Sequence, residues 1–148
     1  MDIDPAPVAD VRWSFYNEAM KARPSTIDIA LVAPASLKLV VYPDSILKKI
    51  AADVRQFDDW LVAVTERMKD VMVEHKGVGL AAPQVGLGLR IFVAAESAKR
   101  EDAKVYINPV LTDERGSEEG EEGCLSLPTI RIKVPRFTHV RVEALDER

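Results

Sequence analysis

Residues 58–86, DDWLVAVTERMKDVMVEHKGVGLAAPQVG, decide the fold because an amphipathic helix within them leads directly into a segment of small residues. The helix is predicted from side chains spaced by three and four positions, which share one helical face. This stripe comprises Leu61, Val64, Met68, Val71, Met72 and His75. Asp58 or Asp59 is suited to cap the start of the helix, and Gly77 is predicted to end it in a left-handed conformation.

Short strand-like runs lie on both sides of this helix. Leu37–Tyr42 precedes it and stops at the turn signal Pro43-Asp44. Runs at residues 89–94, 105–111, 130–134 and 139–144 follow, and the last two alternate apolar and polar side chains. One helix with several antiparallel strands predicts an α+β fold, in which antiparallel strands pack around the amphipathic helix.

The overall composition is that of a globular protein. The chain has 148 residues, of which 47% are hydrophobic and 30% charged, and its net charge is −4. This charge argues against a dedicated binder of nucleic acid or of anionic membranes, and no apolar run approaches the ~18 residues of a membrane span. Residues 1–36 carry Asp2, Asp4, Asp10 and four prolines and lack the basic residues and sustained apolar core of a signal sequence, so a cytoplasmic location is expected. Within them, residues 13–20 are predicted to form a short helix.

Gly77–Gly86 is the first segment that is unusual for a structural scaffold. Its Gly-x-Gly-x-x-Ala string resembles a dinucleotide-binding turn, but such a turn follows a strand and opens a helix, whereas this segment ends a helix and contains Pro83. Small residues allow an extended ligand to approach the backbone closely, and Gln84 adds both a donor and an acceptor. The alternative is a glycine-rich connection with a solvated Gln84.

Glu121–Pro128 is the second unusual segment, and it holds the single cysteine, Cys124, so an internal disulfide is excluded. A lone cysteine is commonly an inert buried thiol. Gly123 favours another role, because it allows the Cys124 thiol and the Leu125 N–H to point at one place, where they would suit a metal or an oxyanion. The acidic residues at 118–122 are interpreted as a solvated loop.

Together these segments resemble the first two signature motifs of the peptide deformylase family. Residues 77–84 match its glycine-apolar-glycine-apolar-Ala-Ala-x-Gln motif, and residues 122–126 match Glu-Gly-Cys-Leu-Ser. The resemblance covers about residues 37–146. Residues 37–148 are therefore interpreted as a peptide-deformylase-like domain, and residues 1–36 as an N-terminal extension.

The resemblance implies a metal-dependent hydrolase that removes the formyl group from the N-terminal formylmethionine of nascent polypeptides. Iron(II) is the metal it implies first, with zinc or nickel as substitutes. Cys124 would be a metal ligand, and Gln84 and the Leu125 N–H would stabilise the oxyanion. The backbone groups implied to hold the peptide as an added strand belong to Val78, Gly79 and Gly123.

The third motif of that family, His-Glu-x-x-His, does not occur in the chain, which has only His75 and His139. We interpret His75 as a packed or capping residue and His139 as a weak candidate ligand. We therefore expect a domain that is incomplete at its C-terminal end and inactive alone. The alternatives are a non-catalytic formyl-peptide-binding module and an interaction protein. The resemblance also implies contact of the complete enzyme with the ribosome, and it leaves an oligomer open.

Overall fold

The computed structural model describes residues 32–148, so the helix predicted within residues 13–20 lies outside the described residues. The described part contains one α-helix, α1 (Asp59–Glu74), and six strands. The strands are β1 (Gly79–Ala81), β2 (Ile91–Ala94), β3 (Lys104–Arg115), β4 (Glu118–Cys124), β5 (Leu127–Arg136) and β6 (His139–Leu145).

The strands form two antiparallel sheets, one of four strands in the order β1-β2-β3-β6 and one of two strands, β4-β5. The face of α1 predicted to be apolar is buried and packs with residues of the larger sheet in one core. Fully buried members of that core include Leu61, Val64, Met68, Val71, Met72, Val93 and Ile107. The predicted α+β fold with antiparallel strands around an amphipathic helix is confirmed.

The start of α1 is capped as predicted, but its end is not. Asp58 is the N-cap, and its carboxylate accepts a hydrogen bond from the Leu61 N–H at 3.0 Å. At the other end the exposed His75 is the C-cap, so its predicted capping role is confirmed and its packing role is wrong. The left-handed residue is Lys76, with φ of 56°, and the prediction for Gly77 is wrong. Gly77 instead permits a close approach, described below.

The Leu37–Tyr42 run is not a strand, which corrects the sequence prediction. The Val40 N–H donates to the Gln84 carbonyl at 2.8 Å, and the Tyr42 N–H donates to the Ser126 carbonyl at 2.9 Å. The segment makes these two single hydrogen bonds instead of the regular bonds of a strand pair, because one bond goes to the turn after β1 and the other to the turn after β4. The predicted turn at Pro43-Asp44 is present. The run therefore links the two segments singled out in the sequence.

Residues 118–124 form strand β4, so their interpretation as a solvated loop is wrong. Pairing with β5 places carboxylates of β4 near cations of β5, and such cross-strand pairs favour the hairpin despite the low strand propensity of glutamate. The ion pairs are Glu119–Lys133, Glu121–Arg131 and Glu122–Arg136. The hairpin carries Cys124 at the end of β4.

Apolar side chains on the outer strands remain solvent-exposed, unlike those of the core. They include Val110, Leu111, Ile130, Ile132, Val140 and Leu145. Within residues 32–148, no helix has both the length and the apolar character needed to cross a membrane.

Candidate functional site

The two segments meet at the side chain of Gln84. Its Nε2 donates to the Ser126 Oγ at 3.3 Å and to the Cys124 Sγ at 3.8 Å. Its Oε1 accepts a hydrogen bond from the Ala81 N–H at 2.9 Å. Both ends of the amide are therefore engaged, and the alternative of a solvated Gln84 is wrong. The amide donor lies beside the only thiol of the chain.

The local backbone directs Gln84 to this position. A short 3-10 turn, Ala82–Val85, follows β1 directly, and the buried side chains of Ala82 and Val85 anchor it in the core. Gly86 ends the turn with φ of 82°, a conformation that a residue with a Cβ rarely adopts. Burial of two neighbours thus orients the Gln84 amide toward the β4–β5 turn.

The Cys124 thiol is exposed, so the alternative of an inert buried thiol is wrong. The turn that follows the thiol is held in place by contacts of its two residues, Leu125 and Ser126, with the rest of the fold. Leu125 packs against the core, and a Cβ on Gly77 would lie 2.8 Å from the Leu125 Cδ1, so any other residue at position 77 would require the Leu125 side chain to shift. Ser126 is 3% exposed and its carbonyl accepts the bond from Tyr42. These contacts position the thiol at the surface.

A cleft of about 710 Å³ opens between the two segments. One wall contains Val78, Gly79 and Gln84, and the other contains Gly123, Cys124 and Leu125. The residues predicted to bind the peptide, the oxyanion or the metal therefore line a single cleft, except the weak candidate ligand His139, which lies on β6 outside the cleft lining. The structure brings together groups that are separated by forty positions in the chain, as in the Gln84–Cys124 contact.

Strand β1 presents an open edge to this cleft. Among the strands of residues 32–148 it is the outermost of its sheet and pairs only with β2. The Ala81 N–H faces away from β2, because it bonds to Gln84, and alternation along a strand gives Gly79 the same orientation. The Val78 carbonyl instead accepts from the Ala95 N–H at 2.8 Å. Gly79 therefore has backbone groups free to pair with an added strand, whereas Val78 contributes its exposed side chain.

Gly123 lies on the wall opposite β1. A Cβ built on Gly123 would have no other atom of the described residues within 4 Å, and its φ is not positive. Packing within the protein therefore does not require glycine there, which differs from the reason predicted from the sequence. The missing side chain leaves room inside the cleft instead.

An ion pair borders the cleft two residues before Cys124. The Arg136 guanidinium binds the Glu122 carboxylate with two hydrogen bonds, each of 2.7 Å. The hydrogen bond from Arg136 lowers the pKa of Glu122 below its ordinary value, and the same bond raises the pKa of Arg136. Glu122 therefore remains ionised and paired at neutral pH.

The described residues do not fit a complete metal site. Cys124 supplies one thiolate ligand, and the part of the chain that the structure describes holds no group of three or more His, Cys, Asp or Glu residues placed to bind a metal. His75 caps α1, and His139 begins β6, where its Nδ1 lies 3.1 Å from the Thr138 Oγ1. Neither belongs to such a group, so a three-ligand protein site is not formed by residues 32–148.

Fold and site together define an α+β domain with a peptide-sized cleft, an open strand edge and a thiol beside a carboxamide. The family model for polypeptide deformylase matches residues 36–148. The peptide deformylase of Desulfotalea psychrophila is 40% identical over 116 residues, which cover 76% of this chain and 68% of that protein. The peptide deformylase of Neisseria gonorrhoeae is 40% identical over 114 residues, covering 77% and 68%. The chain belongs to the polypeptide deformylase family.

Solved structures agree with this assignment. A crystal structure of a peptide deformylase from Legionella pneumophila matches with a TM-score of 0.72 and 40% identity, covering 75% of this chain and 66% of that one. The structure from Thermotoga maritima matches with a TM-score of 0.71 and 36% identity, covering 75% and 74%. The chain thus spans about two thirds of the length of most of these relatives. They support deformylase function and give no support to a non-catalytic module.

Peptide deformylases as a family depend on a metal ion and act on formylated nascent peptides. These two general properties bear directly on the cleft described above.

Proposed function

We propose that this chain forms the peptide-binding cleft of a peptide deformylase, an enzyme that hydrolyses the formyl group from the N-terminal formylmethionine of nascent polypeptides. The observation that carries the proposal is the contact of the Gln84 amide with Cys124 and Ser126 at the end of an open strand edge. The cytoplasm, where nascent chains are made, is the proposed location. An encounter with the ribosome belongs to the same proposal.

The peptide binds as an extended strand along the edge of β1. Gly79 offers the backbone N–H and C=O that face away from β2, and Gly123 leaves space on the opposite wall. Main-chain hydrogen bonds of this kind give affinity without dependence on the peptide sequence, as a substrate class of all nascent chains requires. Val78, 64% exposed, provides an apolar contact beside the strand.

The reacting formyl carbon lies near Cys124 in this arrangement. During hydrolysis its oxygen becomes negatively charged, and the Gln84 Nε2 and the Leu125 N–H are the donors proposed to stabilise it. Because Ser126 and Ala81 already orient the Gln84 amide, little reorganisation is needed when the charge develops. Gln84 and Leu125 are therefore the proposed catalytic residues of this chain.

Cys124 is the proposed metal ligand of the chain, with iron(II) as the metal and zinc or nickel as substitutes. A thiolate is a good ligand for these borderline metals. Since the described residues supply no further ligands beside it, no catalytic step of this chain is assigned to a metal.

The 148-residue chain is expected to bind formyl-Met-Ala-Ser and to release no measurable formate from it. The cleft and the oxyanion donors are present, whereas a single thiolate holds a metal far more weakly than three ligands do. Calorimetry measures binding, and a formate-coupled assay with added iron(II) or nickel measures turnover. Absence of binding would refute the proposed cleft. Turnover abolished by a chelator and restored by metal would contradict the expected inactivity.

A matched pair of glycine substitutions tests where the peptide lies. Gly123→Val places a side chain in the open space of the cleft, and we expect formyl-peptide binding to weaken by about tenfold or more, from lost contacts of about 1.4 kcal/mol. Gly120→Val makes the same change on the same strand, also in open space but outside the cleft lining, and serves as the control. Equal binding by both variants, with unchanged circular dichroism, would place the peptide elsewhere.

A further inference from the structure

The cleft carries a surplus of positive charge in a chain whose net charge is −4. Three cationic side chains line it, those of Lys76, Arg131 and Arg136, and Glu122 is the single carboxylate among its described lining residues. Clefts lined mainly by one sign of charge attract ligands of the opposite charge. The charge of the cleft therefore points to the charge of its ligand.

An ion pair between two of these side chains cancels one positive charge and the one negative charge of the cleft lining. Arg136 and Glu122 neutralise each other through two hydrogen bonds of 2.7 Å. Arg131 is held only loosely, 3.5 Å from Glu121, and its side chain is 71% exposed. Lys76 has no ion pair with any residue of the described chain within 4.0 Å. Among the described residues, Lys76 is thus an unpaired cation of the cleft, and Arg131 is an exposed cation whose pair with Glu121 a ligand carboxylate can replace.

These two cations lie on opposite walls of the cleft. Lys76 directly precedes the Gly77–Gly79 wall, and its left-handed backbone, with φ of 56°, turns the chain from α1 toward β1. Arg131 is the cross-strand partner of Gly123 on the other wall. A peptide extended between Gly79 and Gly123 therefore passes between the two positive charges.

We propose that this cleft selects formylated peptides with Asp or Glu at the third position over peptides with Lys or Arg there. The inference rests on the proposed function, because it concerns the peptides that this same cleft binds. A formylated N-terminus carries no ammonium charge, so the side chains that follow methionine determine the charge entering the cleft. An acidic side chain meets Lys76 and Arg131 favourably, whereas a basic one is repelled by both.

The expected preference is modest because both cations are near solvent. Exposed charge pairs are weak and are screened by salt over a Debye length of about 10 Å at 0.1 M. We expect an acidic peptide to bind about three- to tenfold more tightly than its basic counterpart at low salt, and the ratio to approach one at high salt.

Three peptides with amidated C-termini test the inference: formyl-Met-Ala-Asp, formyl-Met-Ala-Ala and formyl-Met-Ala-Lys. Their Kd values are measured by calorimetry with the full chain, at about 20 mM and about 300 mM NaCl. The expected order of affinity is Asp, then Ala, then Lys. The double substitution Lys76→Gln with Arg131→Gln is expected to bring the three Kd values to within about twofold of one another. Arg141→Gln removes a charge on β6, outside the cleft lining, and is expected to keep the order.

The outcomes separate this inference from the proposed function. Equal binding of all three peptides would overturn the charge preference and leave the proposed function intact, whereas binding of none would overturn both. An order that persists in the folded double variant would assign the preference to other residues and refute the role of Lys76 and Arg131. If the double variant does not fold, the salt series on the unaltered chain decides, because a preference insensitive to salt would overturn the inference.

Discussion

Replacing Gln84 by leucine is expected to weaken binding of formyl-Met-Ala-Ser by at least about tenfold, because it removes the donor proposed for the formyl oxygen. The same change leaves the Ala81 N–H and the buried Ser126 hydroxyl without their partner. Loss of a partner for a partly buried polar group costs about 1–3 kcal/mol, so the free energy of unfolding is expected to fall as well. Calorimetry measures the first effect and urea denaturation the second.

Gln84→Glu is the matched control that separates the two effects. A glutamate retains an oxygen that can accept from the Ala81 N–H, but it lacks the amide donor directed at Ser126 and Cys124. The free energy of unfolding of the glutamate variant is expected to be closer to that of the unaltered chain than that of the leucine variant is. Its peptide binding is expected to be as weak as that of the leucine variant. Normal binding by the leucine variant would refute the role of Gln84 in the site. Normal binding by the glutamate variant would show that the donor is not used.

Met68→Ala is expected to lower the free energy of unfolding by about 2–5 kcal/mol, because it leaves a cavity in the core. Met68 is fully buried on the face of α1 that packs with the sheet. A loss of this size is a large part of the ~5–15 kcal/mol stability of an ordinary domain. Denaturation in urea, followed by circular dichroism, measures the change.

Met68→Leu is the control, since it nearly conserves volume and is expected to cost less than about 1.5 kcal/mol. A comparable loss from both substitutions would show that the thioether itself, rather than the filled volume, matters at this position. No loss from the alanine variant would contradict the packing of α1 described above.

The local features of the fold were predictable from the sequence because they depend on neighbours along the chain. The stripe through Leu61 and Met68 has helical spacing, and Asp58 is a residue type that caps helices wherever they begin. The end of α1 was less predictable. Both Lys76 and Gly77 stand after the last helical turn, and glycine is the ordinary left-handed residue there. Gly77 has no positive φ, and it lies against the Leu125 side chain, a contact remote in the sequence.

The non-local features were not predictable in the same way. Leu37–Tyr42 has the composition of a strand, but its hydrogen bonds go to Gln84 and Ser126, which are remote in the sequence. Strand β4 was not predicted because the composition of its own residues does not favour a strand. A run of glutamates is unfavourable in a strand by itself, and the cations that stabilise this one are on β5.

The sequence by itself determined the helix, the family motifs and the chemical types available to the site, including Gln84 and the single thiol of Cys124. Only the tertiary structure decided how these groups meet. It placed the Gln84 amide 3.8 Å from the Cys124 sulfur, left one edge of β1 open, and set Lys76 opposite Arg131 across the cleft. The physical reason is that periodicity and capping act over a few residues, whereas contacts and fields in a cleft depend on distances that only the folded chain establishes.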